Sequence, residues 1–140
     1  MPFPGTFDGD GHTISGLYIN NGDSVYAGLF GYVGAGGMIK DLTVEGEITV
    51  SGLDLCVGGI AGFVDGTEVS EMSVLTDSDD SETGIIDCTS NVTINVTYNG
   101  QSGLSVGGIV GSCGGATISG CKNCGDVSVV GTRESDIVNI

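Results

Sequence analysis

These 140 residues contain no tryptophan, one histidine (His12) and three basic residues against eighteen acidic ones. Both prolines, Pro2 and Pro4, stand within the first four positions. Each shortage excludes something. A net charge of −15 with only Lys40, Lys122 and Arg133 leaves too few cations to displace counterions from a phosphate backbone, so no nucleic-acid partner is expected. The same balance argues against an anionic membrane surface. No apolar run reaches the roughly 18 residues of a spanning helix, so membrane insertion is not expected. Proline confined to the start rules out collagen and Pro-rich linkers. Scarce Ala, Lys and Arg predict almost no helix.

What is abundant is glycine, 27 of 140 residues where about 7% is ordinary. A hydrophobic content of 39%, largely β-branched, argues against disorder despite the charge. The glycines are organised. One phrase recurs as Gly28-Leu29-Phe30-Gly31, Gly59-Ile60-Ala61-Gly62 and Gly108-Ile109-Val110-Gly111. It is followed by Tyr32-Val33, Phe63-Val64 and Ser112-Cys113, then by a Gly-rich turn.

A second phrase places apolar residues at offsets of zero, three and five: Ile14, Leu17, Ile19; Ile39, Leu42, Val44; Val69, Met72, Val74. It returns with a changed last position as Ile85, Cys88, Ser90 and Ile118, Cys121, Asn123. That spacing is not a helical stripe. It fits a strand preceded by a bend, with the i, i+2 pairs on one face. Residues 91–97, Asn91-Val92-Thr93-Ile94-Asn95-Val96-Thr97, alternate most clearly of all. Units that cannot bury their own apolar face must stack on neighbours. A sandwich needs no internal repeat, and a propeller usually carries aromatic signatures absent here.

The expectation is therefore one all-β domain over residues 1–140, a right-handed parallel β-helix (β-solenoid) with Gly-rich corners. Roughly six coils of about 20–25 residues would fill it. Its ladder would include Ile14, Leu17, Leu29, Ile39, Leu42, Ile60, Val69, Met72, Cys88, Ile109, Ile118 and Cys121.

An acidic insertion, residues 76–84, interrupts the pattern. Asp77, Asp79, Asp80 and Glu82 repel one another unless solvent or a cation screens them, so the segment is either a solvated loop or a calcium site. Calcium is the one cofactor this sequence suggests. Asp8 and Asp10 offer a second, poorer pair, because Asp8-Gly9-Asp10-Gly11 lacks the further ligands of an EF-hand loop. His12 reads as a turn residue rather than a base. Five cysteines cannot all pair within the chain. Cys88 and Cys121 occupy a core position of the second phrase, which suits buried thiols. A Cys121–Cys124 or Cys113–Cys124 disulfide is the other option. Zinc would require more thiolates or imidazoles than the spacing provides. Catalysis is not expected, since no carboxylate pair lies beside a basic residue as sugar chemistry on such a fold would want. Repeated Thr-x-Thr columns of the kind used to bind ice are missing.

The two phrases together resemble the GLUG-motif repeats of bacterial surface proteins. Gly28-Leu29-Phe30-Gly31 is most like the name-giving motif, and the other two are looser copies. The opening, residues 4–17 (Pro4 to Leu17), looks like the segment that often precedes such repeats. The resemblance implies an extracellular structural or adhesive module at a bacterial cell surface, with no catalytic residues to carry over. Some immunoglobulin-cleaving metallopeptidases carry such repeats, but no His-Glu-x-x-His stands here. Expected partners are neighbouring repeats of a longer chain, a glycan or a host surface protein. The alternative is self-association into an extracellular filament through open β-edges. Both ends read as mid-repeat sequence, which suggests a piece of something longer.

Overall fold

The computed structural model describes residues 2–21, 26–67, 83–99 and 103–131. All regular structure among them is strand, and every strand pair runs parallel. The chain makes repeated circuits. The first holds β1 (Thr6–Asn21), β2 (Tyr26–Ala27) and β3 (Phe30–Val33). The second holds β4 (Met38–Gly52), β5 (Leu55–Gly58) and β6 (Ala61–Asp65). The third holds β7 (Gly84–Ile86), β8 (Thr89–Tyr98), β9 (Leu104–Gly107) and β10 (Val110–Gly114). A fourth begins with β11 (Thr117–Ser119), β12 (Lys122–Asn123) and β13 (Val127–Gly131). A seven-stranded sheet gathers β1, β4, β7, β8, β11, β12 and β13, and two three-stranded sheets gather β2, β5, β9 and β3, β6, β10.

Thr6 pairs with Met38, Met38 with Gly84, and Gly84 with Thr117. Successive circuits are thus offset by 32, 46 and 33 residues, not by the 20–25 expected, and the described residues cross the large sheet four times rather than six. The long step holds the acidic insertion, between the end of β6 at Asp65 and the start of β7 at Gly84. Its roots are tied to ordinary rungs. Gly66 N–H donates to the Gly114 carbonyl (2.7 Å) and Gly84 N–H to the Gly37 carbonyl (3.0 Å).

In-register stacking turns the alternating strands into columns. Ile19, Ile48, Ile94 and Val127 form one, and Phe7, Ile39, Ile85 and Ile118 another. Ile48 and Ile94 are fully buried, each contributing about 1.5–3 kcal/mol of hydrophobic stabilisation. Of the expected ladder, Ile39, Leu42, Ile60 and Cys88 are buried, and Ile14, Leu17, Leu29, Ile109 and Cys121 are partly buried against them. Ile118 is 40% exposed, because it lies on the last strand of its column and no described strand covers it. Val69 and Met72 lie outside the described residues.

The bend within the second phrase has a definite cause. Asp41, Asp87 and Gly120 occupy equivalent places and take left-handed conformations, φ 51°, 53° and 66°. One such residue between Ile39 and Leu42 reverses the alternation, so two positions three apart both face inward. Gly does this without strain, and Asp is among the few other residues that tolerate it. The first copy differs. Phe7 pairs with Ile39, Ile14 with Val44 and Ile19 with Ile48, so Ile14-Leu17-Ile19 is displaced from the register expected. Its offset of three comes instead from an extra residue opposite Glu45, with Gly16 at φ 80°.

The glycine phrase forms an elbow where the two short sheets approach each other. A Cβ on Gly111 would sit 2.5 Å from the Val57 amide nitrogen and 2.6 Å from the Gly62 carbonyl oxygen. A Cβ on Gly59 would collide with the Ser90 hydroxyl. Ser90 continues the Ile14–Val44 column but brings a fully buried hydroxyl with no hydrogen-bond partner among the described residues.

Three substitutions test this packing. Gly111→Ala should lose about 1–3 kcal/mol or more from overpacking backbone that cannot move aside. Ile94→Ala should lose about 2–5 kcal/mol through the cavity left in the column. Ser90→Ala should be neutral or raise the melting temperature, since it removes an unsatisfied buried hydroxyl. Urea unfolding of the three variants measures all of these, and a Ser90→Ala loss above about 1 kcal/mol would mean the hydroxyl is paired after all.

Candidate functional site

Asp77, Asp79, Asp80 and Glu82, the calcium candidates, lie outside the described residues. Among the described residues, no group of three or more His, Cys, Asp or Glu side chains is placed to hold a metal ion. The remaining candidates fall at three places in the stack.

The first is the Asp corner. A register shift inserts two residues in β1 relative to β4, between Asp8 and His12. Asp10 N–H donates to Asp8 Oδ1 (2.9 Å), and His12 Nδ1 donates to the Gly9 carbonyl (2.9 Å). Asp8 also pairs with Lys40 at 3.8 Å, with both side chains close to half exposed. An exposed pair of this kind stabilises by at most about 1 kcal/mol. One Asp8 oxygen and the His12 ring therefore shape the turn, and the other Asp8 oxygen faces Lys40.

The second is the thiol column. All five cysteines are unpaired thiols, and neither alternative disulfide, Cys121–Cys124 or Cys113–Cys124, is formed. Cys88 Sγ donates to the carbonyls of Ile39 (3.6 Å) and Ile86 (3.3 Å). Cys121 Sγ does the equivalent one circuit on, to Ile85 (3.3 Å) and Ser119 (3.4 Å). Each thiol thus satisfies a carbonyl of the preceding circuit at the corner, while Leu42 fills the same place in the second circuit with carbon alone. Burial pushes the Cys88 thiol up to about 11. A thiol held protonated is a poor nucleophile and a poor ligand.

The third is the elbow of the first two circuits, which sequence reasoning did not single out. Tyr26 on β2, Tyr32 on β3 and Phe63 on β6 form a triangle of rings. Tyr26 lies 5.4 Å from Tyr32, edge to face, and 5.6 Å from Phe63. Tyr32 and Phe63, stacked partners in register, lie 5.0 Å apart. Tyr26 is 43% exposed. At the rim, Tyr32 OH donates to Asp65 Oδ2 (3.3 Å), and Thr67 donates from its backbone N–H (2.9 Å) and its hydroxyl to Asp65 Oδ1. The Thr67 bonds, with a smaller part from Tyr32, hold the Asp65 carboxyl below its ordinary range. Desolvation, then the Asp65 charge, pushes the Tyr32 phenol up. Next along the same surface, Cys56 stacks on Tyr26 and is pushed up by desolvation and by Asp54. Further on, Ser105 and Ser112 replace the aromatic positions. The sequence signal was the residue after each phrase's second glycine, Tyr32, Phe63 and Ser112, but nothing local to it places Tyr26 against the other two.

No family model matches the chain, and no solved structure matches it. Two curated proteins are similar over part of it. A protein of Evansella cellulosilytica named as a Gly-rich membrane protein is 41% identical over 61 residues, 43% of this chain and 7% of its own length. Halomucin of Haloquadratum walsbyi is 40% identical over 65 residues, 46% of this chain and 1% of its own length. The chain is therefore similar to short stretches of much longer proteins, one of them Gly-rich by name.

Proposed function

We propose that this chain is a run of GLUG-type repeats wound as a right-handed parallel β-helix, serving as a non-catalytic structural or adhesive module at the cell surface. The observation that carries the reading is the in-register parallel stacking of successive circuits through the same three sheets. The glycine phrases fall at equivalent places in it, since Phe30, Ala61 and Val110 share one column. Right-handedness is the usual sense of connections between parallel strands. A stack of this kind lengthens by adding circuits, which suits relatives many times longer than this chain. The name of one relative, a membrane protein, and the acidic, Gly-rich composition favour a surface location. In the Asp corner, the Asp8 Oδ1 atom and the His12 ring bond neighbouring backbone, as a structural role requires. An antibody raised against the folded chain should label intact cells of the source organism without permeabilisation. Labelling only after lysis would overturn the surface assignment.

A second reading, end-to-end assembly into a filament, is favoured by Ile118 and Val130, apolar side chains 40% and 60% exposed on β11 and β13. Such edges pair readily with other strands. Light scattering and electron microscopy of the purified chain separate the two readings. Fibres that lengthen with concentration support assembly, and a fixed monomer mass at high concentration sinks it.

A further inference from the structure

We propose that the aromatic elbow of the first two circuits is a binding site for a small organic cation of the alkylammonium class, held against the rings of Tyr26, Tyr32 and Phe63 beside the Asp65 carboxylate. Such a site does not depend on the chain being a surface module.

The three ring centroids form a nearly equilateral triangle with sides of 5.4, 5.6 and 5.0 Å. A cation about 4 Å above its centre lies about 5 Å from all three centroids, within the roughly 6 Å at which a ring that turns its face toward the charge attracts it. Tyr26 is open to solvent, so an approach exists.

Charge selects the occupant. Asp65 stays ionised at the rim because Thr67 and Tyr32 donate to it. Neither described lysine pairs with it. Lys40 is engaged by Asp8, and Lys122 stands on β12 in the large sheet. A protein of net charge −15 repels anions and concentrates cations at its surface. The Tyr32 hydroxyl donates to a carboxylate, which shifts electron density toward its ring and strengthens the negative ring face. An inorganic cation would prefer oxygen ligands, and Asp65 alone offers too few. An alkylated ammonium, weakly hydrated and apolar outside, suits rings and a single carboxylate together.

Position supports a site rather than a packing device. Register places Ser112 where Phe63 stands, and Ser105 in the Tyr26 column, without loss of the stack. Aromatics are thus not required at these places to close a circuit.

The test uses tetramethylammonium chloride as the probe, with tert-butanol as a neutral match of the same shape and sodium chloride at equal ionic strength. Tyrosine ring resonances of the full chain are followed by NMR. Tetramethylammonium should give saturable shifts with a millimolar Kd, and tert-butanol and sodium should not. Tyr26→Ala should weaken binding at least tenfold, Asp65→Asn several-fold, and Tyr26→Phe less than twofold, each at unchanged fold by circular dichroism. If Tyr26→Ala fails to fold, Asp65→Asn and Tyr26→Phe still decide. Equal shifts with tert-butanol, shifts that never saturate, or undiminished binding in Asp65→Asn would overturn the proposal. So would saturable binding of a neutral methyl glycoside in place of the cation.

Discussion

The structure depends on one constraint: each circuit must lay its backbone on the previous one in register, strand by parallel strand. Backbone amides and carbonyls leave no room for negotiation, since an unpaired one costs as much as a lost hydrogen bond. Once circuits are bonded about 4.8 Å apart, every side chain has a fixed neighbour above and below. Ile48 must meet Ile19 and Ile94, and Thr43 must meet Thr13 and Thr89. A column is therefore the unit of tolerance. Val44, Ser90 and Asn123 share one, and as it drifts from apolar to polar, glycines 59 and 108 leave room beside Ser90 and Asn123.

The same constraint explains where irregularity is permitted. Insertions must leave and rejoin at adjacent rungs. The excursion after β6 does so, its roots bonded to Gly114 and Gly37 as though nothing intervened. The extra residues in β1 sit opposite Asp41 and Glu45, and the strand regains its register at His12 and again at Leu17. Left-handed residues supply the remaining freedom. An Asp at φ near 50° turns the corner in the second and third circuits, and Gly120 turns it in the fourth.

Much of this was legible in the sequence, and the misreadings have physical causes. The bend in Ile39-Leu42-Val44 was readable because three-then-two spacing fits neither a helix nor an unbroken strand. The parallel, all-strand architecture followed from repetition without helix formers. The length of the circuit was carried by the glycine phrases, since Gly31, Gly62 and Gly111 stand 31 and 49 residues apart against register offsets of 32 and 46, whereas 20–25 residues per coil was too short. Ile14-Leu17-Ile19 mimics the phrase through a glycine bulge, not through the Asp corner, and so suggests a shorter repeat than the register uses. The place of the glycine phrase was evident, but its purpose was not. In the second and third copies the second glycine is forced by the backbone of another sheet, contributed by residues such as Val57 that lie far from Gly111 in the chain, whereas a Cβ on Gly31 would meet nothing closer than 3.5 Å. Of the sites, the Cys88 and Cys121 core position could be inferred from their place in the phrase. The aromatic elbow could not, because Tyr26 and Phe63 meet only through the stacking of two circuits.

Meeting only through stacking also governs how such a fold can acquire specificity. Inward columns are held to hydrophobic or small residues by packing, and elbow glycines such as Gly28, Gly62 and Gly111 are held by backbone contact. The residues flanking the phrase obey neither restriction: the column that begins with Tyr32 and Phe63 ends with Ser112, and the one that begins with Tyr26 passes through Cys56 to Ser105. Side chains there sit against a rigid corner that other residues maintain, so they are pre-ordered without being needed for stability. A recognition surface built at this place costs little in fold stability and loses little side-chain freedom on binding. In a protein made of repeated circuits, the elbow is where one circuit can differ from the next while the stack between them stays the same.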